Sequence, residues 1–68
     1  MTPYDLLGVE RGADIGDIKR AYRALAKELH PDVNAGDESA SDRFKEITAA
    51  YNLLANRHKR AEFDRNSP

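Results

Sequence analysis

A histidine and an aspartate stand one rigid residue apart at His30-Pro31-Asp32. Side chains of these types can relay protons, bind metals or make directed hydrogen bonds to a partner. Nucleophilic catalysis would need a Ser or Cys beside the base. No such partner can be assigned to His30 from the sequence, and the chain has no Cys. A metal site would need more ligands than His30 and Asp32 supply. A plain packing role for His30 is the bland alternative. Recognition is the better reading, because Pro31 would stiffen the loop and reduce the entropy that His30 and Asp32 lose on binding. Asp32 would then pair with a basic group on the partner.

The flanking segments must position this tripeptide. Asp14 can cap a helix, and Asp17 three residues later favours its positive end. Ile15, Ile18, Tyr22, Leu25 and Leu29 come next at spacings of 3, 4, 3 and 4, one stripe of an α-helix. Ile15, so near the cap, is expected to be exposed. Pro31 stops this helix by disfavouring α conformation at His30. Asn34, Gly36 and Asp37 mark a loop from Val33 to Glu38, and Asp37 or Ser39 can cap the next helix. Ala40, Phe44, Ile47, Tyr51 and Leu54 repeat at 4, 3, 4 and 3, which predicts a second long helix over Glu38 to Ala55. Two such helices with a short connection pack antiparallel, with Tyr22, Phe44 and Tyr51 as core aromatics between them.

Shorter elements flank this hairpin. Pro3 suits a first helical turn and Gly8 the position past the last one. A one- to two-turn helix near Tyr4 is expected, then a loop through Glu10 to Ala13. Asn56 ends the second long helix. Arg57 to Asp64 reads as a last short helix with Phe63 packing back, and Arg65 onward as the approach to a linker. The domain is thus expected over residues 1–65, with 66–68 as the start of a linker.

On the helix before the tripeptide, Arg20, Arg23 and Lys27 cluster opposite the apolar stripe, within about 60° at the helical period. Lys19 flanks them. The result is a basic face running toward the tip, with Asp17 and Glu28 to one side and no acid inside it to neutralise it. Asp37, Glu38, Asp42 and Glu46 lie beyond the loop, where pairs with Arg43 or Lys45 would contribute little. Eleven Lys and Arg against twelve Asp and Glu leave a net charge of −1, so global charge predicts neither nucleic-acid nor membrane affinity. A chain of 68 residues allows one small domain, which without disulfides must rely on helix packing. No apolar run approaches membrane-spanning length. Residues Met1 to Asp5 lack the features of a signal peptide, so a cytoplasmic location is expected.

The ordered set of motifs resembles the J-domain of the DnaJ (heat shock protein 40) co-chaperone family. Tyr4-Asp5-Leu6-Leu7-Gly8-Val9 is similar to that family's opening helix. Ile18 to Ala26 is similar to its second, and His30-Pro31-Asp32 with Asn34 to its signature loop. Phe44-Lys45-Glu46-Ile47 with Ala50-Tyr51 and Leu54 resembles its third helix, and Lys59-Arg60-Ala61 with Phe63-Asp64 its fourth. The resemblance spans about residues 3 to 65. It implies an all-α fold: an antiparallel hairpin of the second and third helices, short first and fourth helices, and the His-Pro-Asp loop at the tip. It implies a module that is not itself an enzyme and needs no cofactor. Such a module binds a DnaK-type (heat shock protein 70) chaperone and stimulates its ATP hydrolysis. Clients would be engaged by regions outside this chain. The residues implied to meet the partner are His30, Pro31, Asp32, Asn34, Lys19, Arg20, Arg23 and Lys27. No metal, nucleic acid or membrane is implied, and the isolated domain is expected to be a monomer.

The chain departs from the family pattern near the tip. Leu29 stands where Tyr is frequent, Glu28 where Lys or Arg is frequent, and Ala24 where a basic residue is frequent. These changes thin the basic face next to the loop and bear on partner affinity or choice. His58 and Phe63 stand where Gln and Tyr are common. Two rival readings come from other classes. One is a small helical DNA-binding domain, opposed by the negative net charge and by a loop longer than a helix-turn-helix turn. The other is a degenerate J-like module with a purely structural role, opposed by the intact His30-Pro31-Asp32.

Overall fold

The computed structural model describes residues 1–66, and among these the regular structure is entirely helical: α1 (Pro3–Leu7), α2 (Ile15–Leu29), α3 (Glu38–Ala55) and α4 (Arg57–Asn66). Local chemistry sets each boundary. Thr2 and Asp5 form a reciprocal capping box that starts α1, with Pro3 in its first turn. Gly8 ends α1 at φ 69°, a left-handed conformation that glycine adopts without a Cβ penalty. Asp14 caps α2 by accepting the Asp17 N–H at 2.8 Å. Pro31 forces His30 out of the helix, to φ −58° and ψ 138°. Of the two candidate caps for α3, Asp37 serves, taking the Ala40 N–H at 3.1 Å. Asn56 separates α3 from α4 with extended backbone, and its side chain accepts the Lys59 N–H at 3.0 Å.

The long helices α2 and α3 form an antiparallel hairpin. Tyr22 stacks on Tyr51 with ring centroids 4.4 Å apart, and His30 meets Phe44 at 5.6 Å. The pairs run in opposite directions along the two helices, as antiparallel packing requires. The core consists of Tyr4 and Leu7 from α1, Ile18 and Leu29 from α2, and Ala40, Ile47, Ala50 and Leu54 from α3. Alanines at two of the α3 positions let the helices approach closely. Helix α1 covers the end of the hairpin against both long helices, and α4 folds back on α3.

Three expectations change. Tyr22, Phe44 and Tyr51 are half-buried and flank the seam instead of filling it. The Tyr22 hydroxyl lies 3.2 Å from Thr48 Oγ1, a polar link that keeps this ring at the edge of the core. The aromatic that is buried is Tyr4, at 1% exposure. The last helix runs past Asp64 through Arg65 and Asn66, since neither residue interrupts helical backbone. Ser67 and Pro68, the rest of the expected linker, lie outside the described residues. Ile15 is 50% exposed, as its place beside the cap suggests.

Candidate partner-binding site

The loop after α2 is built around the His30 carbonyl. Pro31 has no N–H to offer, so the chain turns back to use others. The Val33 and Asn34 N–H groups both donate to His30 O, at 3.0 and 3.1 Å. The Asn34 side-chain amide reaches back to Glu28 O at 2.8 Å and His30 O at 3.2 Å. It thereby satisfies a carbonyl that the end of α2 would otherwise leave without a partner. The Asp37 N–H donates to Asn34 O at 3.0 Å, so the cap of α3 is tied to the same turn.

This turn presents His30 and Asp32. The Asp32 N–H donates to His30 Nδ1 at 3.1 Å, while Asp32 Oδ2 lies 3.5 Å from the same nitrogen. One nitrogen cannot accept the first and donate to the second. The shorter contact defines the arrangement, because the Asp32 carboxylate is 90% exposed and free to turn. An acceptor Nδ1 carries no hydrogen, which by inference from the bonding pattern places the ring hydrogen on Nε2. Phe44 packs on the imidazole at a T-shaped 84°, and 48% of the His30 side chain remains in solvent. The groove beside the loop, bordered by Pro31, Asn34, Asp37 and Ser41, is open to solvent. That shape does not enclose a small substrate.

The basic face leads to this tip. Lys19, Arg20, Arg23 and Lys27 are all exposed on α2. One correction applies: Asp17, expected to lie to one side, pairs with Arg20 a turn away. The pair is exposed and contributes little to stability, but it neutralises the end of the stripe farthest from the loop. Among the described residues, no carboxylate is within ion-pair distance of Lys19, Arg23 or Lys27. Glu28, in the last turn, is exposed and opposes the helix dipole there. No group of three or more His, Asp or Glu side chains among the described residues could hold a metal ion. No helix among them is long and apolar enough to cross a membrane.

The geometry of loop, stripe and hairpin coincides with a family match. The DnaJ domain model matches residues 2–64. The chain belongs to the DnaJ domain family. It is 54% identical over 61 residues to the chaperone protein DnaJ of Acetivibrio thermocellus, covering 90% of this chain and 16% of that protein. It is 57% identical over 61 residues to the chaperone protein DnaJ of Deinococcus proteolyticus, covering 90% and 20%. Against that of Bdellovibrio bacteriovorus it is 52% identical over 62 residues, covering 91% and 17%. The chain thus spans a fifth or less of the length of these relatives.

This DnaJ domain also contains a polar cluster that sequence reasoning did not single out. The Tyr4 hydroxyl donates to Asp64 Oδ1 at 2.6 Å and accepts from Arg60 Nε at 3.0 Å. The Arg60 guanidinium also donates to Arg11 O at 3.0 Å and Ala13 O at 2.5 Å. It therefore joins α4 to both α1 and the loop before α2, while Arg11 and Asp64 approach to 3.7 Å. Burial, and then the bond to Asp64, hold the Tyr4 phenol above its usual value. The available signal was the spacing of Arg60 and Asp64, one turn apart on α4. Phe44 was likewise expected in the core, when it backs the His30 ring.

Proposed function

We propose that this DnaJ domain binds a DnaK-type (heat shock protein 70) chaperone and stimulates its ATP hydrolysis, acting as a co-chaperone and not as an enzyme itself. One observation carries this reading: an exposed His30 and Asp32, held by a hydrogen-bonded loop, at the end of an exposed basic helix face. In this reading His30 and Asp32 contact the partner directly, and Pro31 limits the freedom lost on docking. Lys19, Arg23 and Lys27 steer the encounter toward an acidic surface, with Arg20 shared with Asp17. Such charges raise the association rate more than the final affinity.

Stimulation requires that the domain bind the hydrolysis-competent conformation of the chaperone better than the alternatives, since only differential affinity shifts an equilibrium. In this reading, clients are engaged by regions outside this chain. The test is steady-state ATP turnover by a DnaK-type chaperone with and without the domain. A saturable rise in turnover is expected. No rise at any domain concentration, with the chaperone shown to be active, rejects this function.

A further inference from the structure

Asn34 is the most heavily committed side chain in the loop. Its amide donates to Glu28 O and His30 O, its N–H donates to His30 O, and its carbonyl accepts from the cap residue Asp37. One half-buried residue therefore links the last turn of α2, the backbone of His30 and the start of α3. Three N–H groups converge on the His30 carbonyl, two of them from Asn34. With that carbonyl fixed, the chain through Pro31 has little choice of path, and the Asp32 N–H falls at 3.1 Å from His30 Nδ1. Phe44 packs against the ring in a T-shaped contact.

We propose that Asn34 is a positioning residue: its amide fixes the turn that keeps His30 Nδ1 engaged inside the loop and Nε2–H turned outward as a donor. The partner group this donor fits is a carbonyl or carboxylate oxygen. An Asn34 that acts through His30 differs from one that touches the partner itself. Its loss is visible in the free domain, before any partner is added.

That the outward donor matters for stimulation rests on the proposed chaperone partnership; the positioning itself does not. The test uses Asn34→Ala and the isosteric Asn34→Asp, which keeps the shape and removes both amide hydrogens. The nitrogen resonances of His30 in the free domain report which ring nitrogen carries hydrogen. The unmodified domain is expected to show a hydrogen-bonded, unprotonated Nδ1. Both variants are expected to keep their helical circular dichroism and to show mixed tautomers. Val33→Ala, which removes no such bond, should match the unmodified domain. Where the unmodified domain stimulates the chaperone, each Asn34 variant should need roughly tenfold more domain for half-maximal turnover, the order of one or two lost hydrogen bonds. Unchanged His30 resonances in a folded variant overturn the proposal, even if stimulation is lost. If Asn34→Ala loses helicity, the Asp variant decides. If the unmodified domain fails to stimulate at all, the partnership falls and the resonances alone decide the positioning.

Discussion

At the scale of single residues, the site is a matter of what each side chain is free to do. His30 has one ring nitrogen occupied and one available, and Asp32 has an almost fully exposed carboxylate. Phe44 supports the imidazole but is only half-buried, so Phe44→Ala should cost ~1–2 kcal/mol, below the ~3–5 of a fully buried Phe. Ile47, 4% exposed, should cost ~2–5 kcal/mol when cut to alanine. Urea unfolding of the two variants checks the order. A larger loss for Phe44 would return it to the core. The helix break at the tripeptide was legible in the sequence because Pro31 declares it. The orientation of the imidazole was not, because it depends on where α3 brings Phe44.

At the scale of elements, α2 and α3 were legible to the residue. Asp14, Pro31, Asp37 and Asn56 act on their immediate neighbours, and the 3–4 spacing needs no tertiary information. Helix α4 was less legible, since besides its packing on α3 it is held by side-chain bonds to Tyr4 and to the loop before α2, up to 60 positions away in sequence. Tyr4→Phe removes the hydroxyl shared by Asp64 and Arg60 and should cost about 1–3 kcal/mol. Amide exchange should then quicken in α4 while α2 and α3 retain their protection. Uniform acceleration across all helices would show that α4 is not separately held. On α2, Arg23→Glu with Lys27→Glu should slow association with the chaperone severalfold at ~0.1 M salt. The difference should narrow toward 1 M, as the screening length falls from ~10 to ~3 Å. A defect that persists undiminished at high salt would point to contact instead of steering.

At the scale of the whole molecule, a net charge of −1 coexists with a basic face because the acids are placed elsewhere. Random duplex DNA should therefore bind weakly if at all, as mobility-shift titration can show. Stability should also respond to alkali through Tyr4. Its phenol is raised above 10.0, first by burial and then by Asp64. A group raised in the folded state contributes in full below its unfolded value, and that contribution is lost as pH rises through the folded one. The melting temperature should thus fall above about pH 10, and Tyr4→Phe should flatten that fall. The central claim, that the loop tip delivers stimulation, is tested most directly by His30→Gln. The variant is expected to keep its helical circular dichroism and to give no rise in chaperone ATP turnover. Normal stimulation by the folded variant would contradict the claim.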